Sequence, residues 1–307
     1  MTRKYGELRR PRQMLGNQEY DGHLSIHDNQ MAENLGFSGA PIEGPTHFSQ
    51  FVPLLDQEFG DAWFERGCIS AHYQNMVVEG DQVGTFIESN PTYSKSVVIG
   101  AEKSDGTPVL IGTASIGPDY GDTELDRRIA RLKPSSQLVI LRDLVVGQKG
   151  LNNPETVLMD FDQHMGELYP FSLKQKLSVI TEKHPYYTSH QNPWGRAVIP
   201  IEMISVLSQY TSGEAGFKGR GPSVGLFAGQ EIRLIKGPLF VGEEYQLERE
   251  IIALSESRRT ESVWIKTSIF GAASGDLVAE TILNSATLKD SYAKYAEEAQ
   301  VLGKSIS

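Results

Sequence analysis

The sequence predicts an α+β fold in which an apolar helix and a long antiparallel sheet occur together twice along the chain. Three observations carry this reading. The order turn, apolar helix, long strands recurs. In the first half it runs "GFSGAPIEGPTHFSQFVPLL", "ISAHYQNMVVEGDQVGTFIE", "TYSKSVVIGAEKSDGTPVLIGTASIG"; in the second, "NPWGRAVIPIEMISVLSQY", "VGLFAGQEIRLIKGPLFVGEEYQLEREIIAL", "RTESVWIKTSIFGAASGDLVAETILNSATL". The strand-like runs are rich in Val, Ile, Thr and aromatics and are broken by "EGDQ", "KSDGTP", "VGEE" and "AASGD", the turn signals of antiparallel hairpins. The second helix-like run is apolar on nearly every side, as a helix enclosed by a sheet must be.

In chain order, "NQMAENL" reads as a short helix capped by Asp28, whose carboxylate satisfies free N–H groups of the first turn. The first long helix begins near Pro45, a residue suited to a first turn, and carries Phe48, Phe51, Val52, Leu55 and Phe59 at helical spacing. After the first set of strands, "DTELDRRIARLKPSSQ" is an amphipathic helix with a proline stop, and "VVGQKGLNNPET" has loop composition. The division between halves therefore falls near residue 130, giving domains 1–130 and 131–307. Beyond it, "PETVLMDFDQ" reads as a strand, "YPFSLKQKLSVITE" as a helix, and Ile201 to Tyr210 as the second long helix.

Composition narrows the function. The 307 residues suffice for two domains, and 39% hydrophobic with 22% charged residues is the balance of a folded globular chain. A net charge of −10 repels phosphate backbones, so a nucleic-acid partner is not expected. No apolar run has membrane-spanning length and "MTRKYGELRRPRQML" lacks an apolar core, so the expectation is a cytoplasmic protein without a cleaved leader or membrane contact. The single cysteine, Cys68, allows no internal disulfide and reads as a small buried residue. His164 has acidic neighbours but no second histidine at ligand spacing, so no metal site is expected. Walker, GxSxG, HExxH and Rossmann patterns do not occur.

The phrases "HDNQMAENLGFSGAPIEGPTHF" with "VVEGDQV", and "NPWGRAVIP" with "LFVGEEY", make the chain resemble a double-hotdog protein of the MaoC-like hydratase/dehydratase family. That resemblance implies two antiparallel sheets, each wrapped around a central helix. It also implies a motif of the form D-x-N-P-x-H-x-D, whose first Asp and His grip a water. Setting Asp28 and Ala32 on the end of the motif puts Asp21 at the catalytic Asp and Ile26 at the catalytic His, with His27 one residue late and His23 at the motif's Asn. Three accounts follow: His27 is the base after a register slip, His23 has taken over, or the hydratase chemistry is absent. Candidate catalytic residues are thus Asp21, His23 and His27.

Candidate substrate-binding residues are Gly44, His47, Tyr187, His190 and Trp194. An N–H near Gly44 at a helix start could polarise a thioester carbonyl. Glu43 at the same start is favoured as an anion by the helix dipole, hence a poor acid, and stands at i, i+4 to His47, with which a structural pair is expected. Tyr187, His190 and Trp194 belong to the aromatic stretch "KHPYYTSHQNPWG", read either as a pocket lining or as a packed loop. Lys4, Arg9, Arg10 and Arg12 are candidate contacts for the phosphates of CoA, or a solvated run. Three function classes stand. The first is a lyase on a small enoyl or hydroxyacyl thioester, needing no cofactor, with CoA as part of the substrate. The second is a repurposed cavity for elimination, isomerisation, cyclisation or thioester hydrolysis. The third is a binding protein without turnover. A homodimer is compatible with each.

Overall fold

The computed structural model describes residues 3–16, 18, 25–89, 95–133 and 137–304. Asp21 and His23 lie outside the described residues. Among the described residues, alternating hydrophobicity builds one antiparallel sheet of ten strands rather than two separate ones. The first half supplies β1 (Arg3–Tyr5), β2 (Gly67–Tyr73), β3 (Val83–Ser89), β4 (Ser96–Lys103) and β5 (Pro108–Ile116). The second supplies β6 (Glu155–Leu158), β9 (Gly225–Leu234), β10 (Glu244–Glu256), β11 (Thr260–Gly271) and β12 (Leu277–Leu288). Their order is β1-β3-β4-β5-β2-β9-β12-β11-β10-β6. The halves join where β2 pairs antiparallel with β9, from Cys68 opposite Arg233 to His72 opposite Gly229. A separate ribbon pairs β7 (His164–Met165) with β8 (Tyr169–Ser172).

The turns are where glycine was expected. Gly106 in "KSDGTP" and Gly275 in "AASGD" have φ of 86° and 70°, a conformation that costs a side-chain-bearing residue energy and glycine nothing. Along β10, Tyr245, Leu247, Arg249 and Ile251 are buried in alternation, the period-two pattern of a sheet with one covered face. An arginine among those inward positions is unusual.

The helices are shorter than the sequence pattern suggests. The run from Pro45 forms three pieces: α2 (Thr46–Ser49), α3 (Val52–Phe59) and α4 (Asp61–Arg66). Pro53, at the start of α3, cannot donate an N–H and its ring would clash with the carbonyl four residues earlier, so the chain restarts there. Gly60, with φ of 59°, makes the second break. Phe48, Phe51, Val52 and Leu55 are nonetheless buried, so the apolar face survives the interruption. Before it, α1 (Asn29–Asn34) has the expected cap, with Asp28 accepting from Met31 N. In the connecting region, α5 (Glu124–Ile129) carries a capping box from Thr123 and Asp126. Then α6 (Leu173–Val179) begins later than the pattern implies, because "YPFS" is spent on β8.

Helix α7 (Ile201–Gln209) has all nine residues buried, including Glu202. It packs against α2 and β9. The chain closes with α8 (Tyr295–Val301). Cys68 is buried, as expected. No helix among the described residues is long and apolar enough to cross a membrane.

Candidate active site

Both halves contribute to one cavity of about 1010 Å³. Ile26, His27, Glu43, Gly44, His47 and Tyr73 line it from the first half; Gln209, Tyr210, Phe217, Lys218, Arg249, Val263, Ile265 and Leu283 line it from the second.

His27 and Glu43 reach the cavity by linked segments. The backbone at Pro41 bridges Val78, and Ile42 N donates to Val77 O at 2.6 Å, pinning the strip that leads into α2. His27 Nδ1 then lies 2.8 Å from the Pro41 carbonyl, while Gln13 Nε2 donates to His27 O at 2.9 Å. A carbonyl accepts only, so Nδ1 carries the proton and Nε2 keeps its lone pair. Burial lowers the His27 pKa, and the Lys176 charge lowers it further against the Pro41 bond. Ile26, the residue at the motif's histidine position, is buried against Val224 and Leu288. Both residues line the cavity, the ring fixed by Pro41 and the aliphatic chain packed into an apolar cluster.

Glu43 overturns one expectation. Its carboxyl is buried, and burial, opposed by Lys176 and reinforced by Glu202, pushes its pKa up to about 7 rather than down. The expected Glu43–His47 pair does not form. Lys176 Nζ lies 3.8 Å from Glu43, and His47 Nδ1 lies 3.0 Å from Gln50 Oε1. A four-residue helix such as α2 supplies too little dipole to offset full desolvation of a carboxylate.

Gly44 is held close to an aromatic: a Cβ there would sit 2.6 Å from Tyr73 Cζ, so only glycine admits this approach. Tyr73 in turn stacks on Phe48 with ring centroids 6.2 Å apart. Burial first, and the nearby Glu43 charge second, raise the Tyr73 pKa well above 10.

Tyr187, His190 and Trp194 do not line the cavity. Tyr187 is in the core, and burial raises the pKa of its phenol. His190 is exposed, with Nδ1 3.2 Å from Gly195 O. Trp194 donates to Glu65 at 3.3 Å and packs with Phe64 and Tyr186, whose hydroxyl donates to Asp61 at 3.0 Å. These aromatics pack the second half's loop onto α4, the second of the two readings. Three of the four amino-terminal cations are engaged: Lys4 pairs with Glu58 at 2.6 Å, Arg9 with Glu182 at 2.5 Å, and Arg10 donates to Gly80 O at 2.9 Å.

Lys176, Glu202 and Arg249 were not singled out from sequence. Lys176 is buried between two carboxylates, and Arg249 pairs with buried Glu155 while donating to Ser208 O and Thr211 Oγ1, both at 3.0 Å. The signal existed: Glu202 is the single charged residue of "IEMISVLSQ", and Lys176 shares a helix face with Leu173 and Ile180. No group of three His, Cys, Asp or Glu among the described residues is arranged to hold a metal ion.

His47 gives a pH prediction. Burial lowers it to about 4, with the Gln50 bond opposing. The unfolded imidazole takes its proton near 6.5, so the folded state loses stability as pH falls from 6.5 to 4, by about 3 kcal/mol. Glu43 has the opposite sign: a folded pKa of about 7, above 4.5, gives stability present below 4.5 and lost as pH rises through 7. The two slopes oppose each other between pH 4.5 and 6.5. In urea denaturation across that window, His47→Gln should therefore lose stability with rising pH more steeply than wild type. A variant curve parallel to wild type would remove His47 from the account.

A duplicated helix-and-sheet fold with one cavity lined by both halves, His27, Glu43 and His47 among its walls, defines the class. Solved structures place it more closely. The fold is similar to that of a structure assigned as a MaoC domain protein dehydratase from Chloroflexus aurantiacus J-10-fl, with TM-score 0.55, 13% identity and 94% of each chain covered. It is also similar to Rv0216 of Mycobacterium tuberculosis, which has a double hotdog fold, with TM-score 0.52, 11% identity, and 92% and 96% of the two chains covered. The chain therefore has the fold of MaoC-like hotdog proteins. No family model matches the sequence, and no curated protein matches it.

Proposed function

We propose that the protein is a MaoC-like lyase, a double hotdog with each sheet half curled around its apolar helix, that hydrates or dehydrates a small enoyl or hydroxyacyl thioester. The observation that carries this reading is His27 on the cavity wall with Nδ1 turned to the Pro41 carbonyl. That contact leaves Nε2 as an acceptor for a proton of water, and the lowered pKa keeps the ring neutral near pH 7. Asp21 and His23 are the further candidates to orient the water, and the Gly44 strip is the candidate to face the thioester carbonyl. CoA enters as part of the substrate; no other cofactor is invoked. The expected setting is cytoplasmic, with no nucleic-acid or membrane partner and with homodimerisation open to sedimentation analysis.

A second reading is favoured by Ile26 at the motif's histidine position, buried in an apolar cluster. On that reading the cavity performs another acid/base reaction on a small molecule. The deciding measurement is the loss of enoyl-thioester absorbance with a chain-length panel of 2-enoyl-CoA substrates, beside the corresponding free acids. Turnover of thioesters alone supports the lyase. Absence of turnover at every chain length removes it and leaves the second reading or ligand binding alone.

A further inference from the structure

Three elements bring Glu43, Lys176 and Glu202 together: the strip before α2, helix α6 and helix α7. Lys176 Nζ is 3.8 Å from Glu43 Oε2 and 3.4 Å from Glu202 Oε1, and it donates to Thr46 Oγ1 at 2.9 Å. All three side chains are buried. Two carboxylates around one ammonium would bury a net negative charge, which a low-dielectric interior penalises. One extra proton makes the cluster neutral. Glu43 is the member suited to hold it, because it is farther from the ammonium; Glu43 Oε1 and both Glu202 oxygens have no hydrogen-bond partner among the described residues, so the distance to Lys176 is what separates the two carboxyls. It is also the one of the two carboxyls that lines the cavity.

We propose that Glu43 is the second proton-transfer group of this site, a carboxylic acid kept neutral by its place beside the Lys176–Glu202 pair, which exchanges its proton with the α carbon of a bound acyl thioester. This rests on the acid/base reading of the cavity. In hydration, His27 takes a proton from water as the water oxygen bonds to the β carbon. The π electron pair of the double bond forms the new α C–H bond with the Glu43 proton, and the electrons of the broken O–H bond stay on the carboxylate. The proton on His27 then returns to Glu43 through solvent, so one water is added in total. Dehydration runs the same steps backwards.

The groups facing Glu43 set its titration. Lys176 on α6 favours the anion; Glu202 on α7 disfavours it; burial disfavours it most, bringing the carboxyl to about 7. Tyr73 on β2 stays a neutral phenol and His47 on α2 stays a neutral imidazole through that range.

Infrared spectroscopy of the full chain reads the carboxyl directly. Wild type should show a protonated-carboxyl carbonyl band that disappears as pH rises through about 7, and Glu43→Gln should lack it. Glu202→Gln, which removes a neighbouring negative charge, should move the midpoint to lower pH. The second readout is washing of deuterium from D2O into the α position of butyryl-CoA, a partial reaction that needs no elimination. The wild-type rate should rise with pH through the same midpoint, fall about 10²–10⁴-fold in Glu43→Gln, and have its pH limb moved down in Glu202→Gln. Exchange by a wild type that hydrates no enoyl-CoA would keep Glu43 as the proton carrier and remove the lyase reading. A carbonyl band that persists in Glu43→Gln, no exchange by wild type, or exchange unchanged in Glu43→Gln overturns the proposal.

Discussion

His27→Ala is expected to lower kcat for enoyl-thioester hydration by about 10²–10⁴-fold, the usual worth of a positioned general base. The fold should survive, since losing the bond to Pro41 costs only about 1 kcal/mol. His27→Gln, which keeps an amide donor for Pro41 but no base, should be as slow as the alanine variant; recovery by glutamine would mean that the ring only holds the Pro41 strip. The pH profile supplies an independent check. Burial and the Lys176 charge hold the imidazole below 6.5, so the wild-type rate should stay level through neutrality on this group's account and fall only as pH drops through the depressed value. Removing the Lys176 charge should carry that limb upward. Full kcat in His27→Ala would exclude this residue as the base and return weight to His23.

Lys176→Met is expected to destabilise the fold by about 3–5 kcal/mol near pH 8, the cost of leaving buried charge without its partner. Methionine fills similar volume, so the loss reads the charge rather than a hole. Burial alone would pull the Lys176 ammonium down, but the carboxylates of Glu202 and Glu43 outweigh it and raise its pKa above 10.5. The lysine therefore stays charged at neutral pH, and its own contribution is lost only as pH rises through that raised value. Without it, both carboxyls have folded pKa values displaced further above 4.5. Such groups stabilise below the unfolded pKa and lose that contribution as pH rises. The deficit of the variant should accordingly be small near pH 5, where the carboxyls can be protonated, and grow toward pH 8. Urea unfolding at the two pH values tests this. An equal deficit at both, or a larger one at pH 5, would contradict the ionic account.

Much of the architecture was legible because it depends on local pattern. Alternating runs with Gly–Asp turns identify β3, β4, β5, β10, β11 and β12, and the Asp28 cap is a rule about four neighbouring residues. The break in the first long helix was also written locally, in Pro53 and Gly60, but helical spacing of the phenylalanines outweighed it. Of the site, the strip from His27 through Gly44 and His47 was visible as a polar segment before a helix, and it does line the cavity. The aromatic stretch from Tyr187 to Trp194 looked equally suited to a pocket. Only its contacts with Phe64, Glu65 and Asp61 assign it to packing.

The sequence by itself determined the helix-and-sheet repeat, the turns, the capped α1 and the strip that carries His27, because each rests on steric or hydrogen-bonding rules among near neighbours. Tertiary structure alone decided that the halves share one sheet through β2 and β9, and that Glu43 meets a lysine 133 positions away together with a glutamate from α7. Helix position makes an exposed carboxylate at Glu43 a weak acid-base group, whereas burial beside Lys176 and Glu202 makes it one that titrates near neutrality. The physical reason is that desolvation and the charges facing a group come from whatever the fold brings against it, and no local pattern encodes them.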